Sequence, residues 1–325
     1  MRMLLLGGTA WLGRTVAQEA LRRGHDVTCL ARGSADPPQG VTFVTADRDL
    51  DHGLDAVAGE TWEAVVDVTR HPGQARRAVR DLSARHRVLV STGNVYARFD
   101  AIEQGEDSAL RDALDGDVMT DMEVYGEAKV ACENTVRDAA GTATIVRSGL
   151  IGGPGDWSGR TGYWPWRFAH PVGERVVVPD ELDFPCAIID VRDLAAWLVT
   201  VAEHRVDGTF NATGPTTGLA DVLATAARVA GSSAEPLPVA REVLAELGIG
   251  AWMGPASLPL WIDDVEWRGF ATLDTSRARA AGLVTRPLEE TLRDTLAFEE
   301  TRTEPRRAGL ADDDERRVQE AVLRR

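Results

Sequence analysis

Lysine is almost missing from this chain of 325 residues: of its 36 lysines and arginines, only Lys129 is a lysine. Arginine supplies the cation everywhere else, so something about position 129 calls for a compact ammonium and not a planar fork. Tyrosine is scarce as well, with only Tyr96, Tyr125 and Tyr163. Three widely scattered cysteines, Cys29, Cys132 and Cys186, match neither a zinc spacing nor a disulfide framework. They read as free thiols of a reducing compartment, and no metal site is expected. No apolar run approaches the length needed to cross a bilayer. The opening Met1–Leu6 stretch is too short for a secretory signal and runs straight into glycines, so a cytoplasmic protein without a membrane partner is expected. Basic charge is also in deficit. A formal net charge of −15 argues against nucleic acid or an anionic membrane as the main partner, and leaves room for a local anion site built from a few arginines.

What is present is an alternation of short apolar runs with helical patterns through the first half. Strands are expected at 3–6, 26–30, 41–44, 64–68, 87–91 and 144–146. Helices are expected from the glycine loop to about Arg23, over 74–84 and over 125–140. That order implies an α/β fold, a Rossmann-type doubly wound parallel sheet, with a smaller, mostly C-terminal substrate lobe. Residues 1–155 would form the dinucleotide-binding domain, with 184–214 returning to it through a helix capped by Asp190 and a strand at 209–212. Residues 156–183 and 215–325 would form the lobe and the C-terminal helices. The first of these segments is read as irregular, and a terminal helix opens at Asp312-Asp313-Asp314.

Gly7-Gly8-Thr9-Ala10-Trp11-Leu12-Gly13 lies between the first strand and the first helix, and that context gives the glycines their weight. Glycines allow a tight turn and close backbone approach to a pyrophosphate at a helix N-terminus. Ala10 stands where the usual pattern has its middle glycine. Gly7, Thr9, Ala10, Trp11 and Leu12 are therefore candidate cofactor contacts, with Val68 at the end of the fourth strand. An NAD enzyme usually ends strand two on a carboxylate that accepts from the ribose hydroxyls. This chain has Ala31 there and Arg32 next, a guanidinium suited to a 2′-phosphate, so NADP(H) is preferred over NAD(H). Arg32 is also readable as one more solvated surface arginine. Asp47 and Arg48 follow strand three as further cofactor candidates, Asp47 as an acceptor for the adenine amino group or as a loop cap.

Tyr125 and Lys129 stand four apart at the start of a helix, on one face. With three tyrosines and one lysine, the chance of that spacing is about 1%. A free phenol is a poor acid–base group at neutrality, and a neighbouring ammonium stabilises its phenolate. Upstream, strand five ends on Ser91-Thr92-Gly93-Asn94. Thr92 is the candidate for bonding a substrate oxygen as its charge changes, and Ser91 is the rival hydroxyl. Three weaker candidates for the substrate are Asn94, His71 and Trp164. His71 reads as bordering the nicotinamide or as a plain loop histidine. Trp164, with Tyr163 and Trp166, reads as a wall for a ring or as core.

The glycine loop, Ser91-Thr92 with Val95-Tyr96, Tyr125 with Lys129, Arg147-Ser148-Gly149-Leu150, and Ile189-Asp190-Val191-Arg192-Asp193 stand in the order and spacing of one family. The chain resembles the extended short-chain dehydrogenase/reductases, also called the NAD-dependent epimerase/dehydratase family, over residues 1–300. The resemblance implies Tyr125 as acid–base, Lys129 as its tuner and cofactor ligand, Thr92 as the third member, and a small-molecule substrate. Two departures narrow it. Family dehydratases place an Asp-Glu pair after the threonine, where this chain has Gly93-Asn94. Sugar-nucleotide epimerases carry an Asn that contacts the diphosphate, where this chain has Leu150. These departures resemble the reductase branch and imply an NADP(H)-dependent oxidoreductase acting on a carbonyl or hydroxyl, as a monomer or homodimer. The alternatives are a nucleotide-sugar epimerase and a non-catalytic cofactor-binding or RNA-associated relative.

Overall fold

The computed structural model describes residues 1–324. In chain order its first half runs β1 (Arg2–Leu6), α1 (Trp11–Arg22), β2 (Asp26–Ala31), β3 (Thr42–Thr45), β4 (Ala64–Asp67), α2 (Pro72–Asp81), β5 (His86–Thr92), α3 (Tyr125–Arg137) and β6 (Thr142–Ser148). The second half adds β7 (Leu150–Gly152), α4 (Tyr163–Ala169), β8 (Arg175–Pro179), β9 (Ile188–Asp190), α5 (Val191–His204) and β10 (Gly208–Ala212). It closes with α6 (Leu219–Ala230), β11 (Glu235–Val239), α7 (Leu288–Glu299) and α8 (Asp312–Leu323).

Seven strands pair in the order β10-β6-β5-β4-β1-β2-β3, all in parallel. This is the Rossmann-type doubly wound arrangement. Parallel strands covered on both faces read as continuous apolar runs, which is why Met3, Leu4, Leu5 and Leu6 are all buried. Strand order reverses between β1 and β4. A crevice therefore opens at the carboxyl ends of those two strands, beside Gly7 and Val68. One layer of helices packs through α1 and α5, whose Val16, Ala17, Ala20, Leu194 and Trp197 share a core with the sheet. A second core gathers α4, β8, α6 and α7 around Trp164, Phe168, Val177, Leu223 and Leu292. Among the described residues, no helix is long and apolar enough to cross a membrane.

Two elements depart from expectation. The helix expected over 74–84 starts earlier, at Pro72, because proline needs no N–H in a first turn and its φ is already helical. The segment read as irregular holds α4, where Pro165 is tolerated as the third helical residue. This helix carries a fully buried Arg167, which donates to Asp312 and to the Leu310 carbonyl and so anchors α8.

Candidate active site

The glycine loop shows why its small residues are there. Gly7 has φ +95°, and a Cβ on it would lie 2.6 Å from Val68 Cγ2. A Cβ on Gly13 would lie 2.2 Å from the Gly7 carbonyl oxygen, so α1 can pack against the turn only with glycine at that position. Ala10 is the N-cap of α1 with φ −78° and is exposed, so a methyl group costs nothing there. No side chain caps α1, and its first turn holds no acid. Its first N–H groups remain available to an anion, and this end of the helix favours negative charge. The cradle therefore fits a dinucleotide pyrophosphate. Thr9 is buried, while Trp11 and Leu12 are half-buried. Trp11 Nε1 donates to the Pro154 carbonyl at 2.8 Å and ties this loop to the segment after β7.

Beyond β2 and β3 the candidates separate. Arg32 is exposed and makes no hydrogen bond or ion pair with the described residues. Arg48 has a different task from the one expected. It is buried, and its guanidinium grips both oxygens of Asp67 at 2.8 and 2.6 Å and also donates to the Gln74 carbonyl. Its fork is thus committed to bracing the end of β4. Asp47 accepts from the Asp49 N–H, the loop-cap geometry. His71 caps α2 and accepts the Met119 N–H on Nδ1. Burial pulls its pKa below the ordinary value; Arg70, Arg32 and Arg48 add to this against Asp49.

Tyr125, Lys129 and Glu133 follow one another at intervals of four along the inner face of α3. Tyr125 is half-buried, and its hydroxyl makes no hydrogen bond with the described residues. The Lys129 side chain is buried, and its ammonium donates to the Thr69 carbonyl at 2.5 Å and the Val90 carbonyl at 2.6 Å, bridging β4 and β5. An ammonium has three donors, so one remains without a partner among the described residues. Ser91 Oγ is held by Glu133 at 2.6 Å. Glu133 is itself clamped by Arg147 at 2.8 Å, and Arg147 also donates to Tyr96 Oη and the Glu106 carbonyl. Thr92 is held only by Asn94, accepting its N–H at 3.2 Å and facing its Oδ1 at 3.4 Å. Of the two rival hydroxyls, Ser91 is committed to the interior and Thr92 is the freer.

Trp164 is a correction. It is fully buried in the second core, its Nε1 donates to the Pro259 carbonyl, and it offers no wall to a substrate. A large apolar ring in a helix that packs on three others is drawn into their shared core. Tyr163 is equally buried, and Trp166 is stacked under Arg306 at 3.6 Å. Sequence reasoning missed Glu133, although its place four residues beyond Lys129 on a buried face was the available signal. It also missed Arg160 and the aromatic side chains Phe99, Trp252, Trp267 and Phe270, which meet only through folding.

No protein-family model and no curated protein sequence matches the chain. Solved structures do. A Burkholderia cenocepacia protein provisionally described as an epimerase superposes with a TM-score of 0.69 at 22% identity, over 93% of this chain and 98% of that one. UDP-glucose 4-epimerase of Thermotoga maritima gives 0.67 at 16% identity, over 94% and 100%. WbmG of Bordetella bronchiseptica, solved with NAD and UDP, gives 0.67 at 19% identity, over 93% and 95%. The chain shares the fold of these proteins along nearly its whole length.

Proposed function

We propose that this protein is an NADP(H)-dependent oxidoreductase of the extended short-chain dehydrogenase/reductase type, acting on a small-molecule carbonyl or hydroxyl. One observation carries the reading. The chain's single lysine is buried between the ends of β4 and β5, next to the switch point, four residues after a tyrosine whose hydroxyl has no partner among the described residues, and it has a donor to spare. Gly7, Thr9, Ala10, Trp11, Leu12 and Val68 would hold the dinucleotide, with Arg32 at its 2′-phosphate and the third Lys129 donor at a ribose hydroxyl. The nicotinamide, when bound, supplies or accepts the hydride. Thr92 and Tyr125 bond the substrate oxygen, and Tyr125 delivers or removes its proton while the Lys129 charge supports the phenolate.

The epimerase reading has one observation in its favour, the fold shared with nucleotide-sugar epimerases. Against it stand Leu150 in place of the diphosphate ligand and Ala31 in place of the carboxylate that suits NAD, with Arg32 beside it. The readings separate in one assay. A reductase consumes NADPH in step with product, whereas an epimerase regenerates its cofactor every cycle. NADPH should bind more tightly than NADH, and Arg32→Ala should shrink the difference. Tyr125→Phe should keep NADPH binding and lower turnover by at least ~100-fold. Epimerisation of a UDP-sugar with no net change in NADPH would overturn the proposal, as would equal affinity for the two cofactors.

A further inference from the structure

A rim of side-chain contacts can be followed residue by residue from the tyrosine helix. It starts at α3, where a Cβ on Gly126 would lie 2.7 Å from Arg111 Cδ. The Arg111 guanidinium lies 5.7 Å from the centre of the Phe99 ring. Phe99 stacks on Trp267 at 4.7 Å and meets Phe270 edge-on at 5.0 Å. Phe270 meets Trp252 at 5.3 Å, and the Arg160 guanidinium lies over Trp252 at 5.0 Å. From Arg160 the chain runs back to Pro154, whose carbonyl is bonded by Trp11 of the glycine loop. The rim therefore begins at the tyrosine helix and ends at the nucleotide cradle. It also reaches the residue after the threonine, since Leu273 Cδ1 lies 3.3 Å from where a Cβ on Gly93 would be.

Within this rim Arg160 is distinguished by what it lacks. Its nearest carboxylate, Asp156, has both oxygens occupied, Oδ1 by Ser158 and Oδ2 by Thr161. Arg160 makes no ion pair with the described residues, and its one side-chain bond runs from Nε to Ser158 Oγ at 3.2 Å. Arg111, by contrast, is neutralised by Glu127 at 2.9 Å. A half-buried guanidinium whose outer nitrogens have no partner among the described residues, in a chain with 51 acidic residues, is suited to an anion from outside the chain. Burial lowers its pKa, the cost of holding that charge without a counterion.

Resting on the reading of the crevice beside Tyr125 as the reaction site, we propose that Arg160 receives the carboxylate of a planar, ring-bearing substrate. The ring lies along Phe270 and Trp252, with Phe99 buried behind them. One unpaired guanidinium suits a monoanion, and the aromatic faces beside it suit a ring in offset or edge contact.

The test uses two probes of the same shape, 2-naphthoate and 2-naphthamide, titrated calorimetrically into the full chain with and without NADP+. The acid should bind about tenfold more tightly than the amide, or better, as a charge-assisted bond provides. Arg160→Met keeps the stem over Trp252, and should abolish that preference without changing the affinity for the amide or for NADPH. Equal binding of the two probes, binding of neither, or a preference that survives Arg160→Met would each overturn the proposal. So would tight binding of UDP that depends on Arg160, which would make the receptor a diphosphate site. Failure of NADPH to bind the wild-type chain would instead refute the oxidoreductase reading, while the acid–amide comparison without cofactor still decides the role of Arg160.

Discussion

Replacing Glu133 by glutamine should cost the fold far more than an ordinary polar substitution. Glu133 is fully buried and Arg147 is 2% exposed, and they meet through three contacts of 2.8 to 3.3 Å. Burial works against the Arg147 charge, but the bonds and charge of Glu133 outweigh it, so its pKa stands above the ordinary value. Glutamine keeps the shape and removes the charge, leaving a guanidinium in the interior bonded only to neutral acceptors, among them Tyr96 and the Glu106 carbonyl. Stranding one member of a buried pair costs roughly 3–5 kcal/mol. Glutamine still accepts a hydrogen bond, which places the expected loss near ~3 kcal/mol. Urea unfolding followed by far-UV circular dichroism should show it as a lower midpoint at unchanged slope. The double variant Glu133→Leu with Arg147→Met removes both charges, and should lose at least ~2 kcal/mol less than the two single losses added. A single loss below about 1 kcal/mol, or strict additivity, would show that the pair contributes nothing beyond its packing.

The two hydroxyls at the end of β5 should behave oppositely. Thr92→Ala should lower turnover by about 10²-fold, as loss of an oxyanion donor does, whereas Ser91→Ala should chiefly lower stability by ~1 kcal/mol through its bond to Glu133. Ordinary turnover in the Thr92 variant would transfer the role to Ser91. His86 provides a pH test. It is fully buried between Thr142 and Thr144, and burial lowers its pKa from 6.5 to about 4. The unfolded chain then binds the extra proton first. The histidine's contribution is fully present above pH 6.5 and is lost as pH falls toward 4. At about 1.4 kcal/mol per pH unit, with a discount for water reaching the sheet end, the loss is on the order of 2 kcal/mol. His86→Asn should flatten stability across that window, and a slope identical to wild type would refute the assignment.

How much of this was legible in the sequence depended on the range of the physics involved. The sheet was readable because parallel strands covered on both faces must be continuous apolar runs, and Met3–Leu6 and Val88–Val90 are such runs. The glycine loop and the Tyr125–Lys129 pair were readable because turn geometry and helical spacing act within a few residues. Trp164 was not. A tryptophan in a sequence carries no mark of whether it will line a cleft or fill a core, and the packing of α4 on α6 and α7 decided it. Arg48 was misread for a related reason. Its position after β3 suits a cofactor ligand, but Asp67 at the end of β4 lies within reach only once the sheet has formed, with β1 and β2 between the two strands. The aromatic rim draws on residues 99, 252, 267 and 270, far apart in the chain, so no local pattern announces it.

The single lysine brings these scales together. Arginine in this protein performs the structural work that a fork does well. Arg48 spans both oxygens of Asp67, Arg147 spans Glu133 and two further acceptors, and Arg167 pins α8. All three are planar groups satisfied in several directions at once. Position 129 demands the opposite. Its cation enters between the ends of β4 and β5, bonds two carbonyls at 2.5 and 2.6 Å, and still has a third donor with no partner among the described residues. A tetrahedral ammonium does this with three equivalent hydrogens around one atom. A guanidinium in the same slot would need room for two further nitrogens beside Thr69 and Val90, both buried and closed by the sheet. The scarcity of lysine is therefore informative about chemistry. Where the chain needs charge or hydrogen bonding it uses arginine, and it uses lysine where a small cation must be held beneath a tyrosine at the carboxyl edge of the sheet.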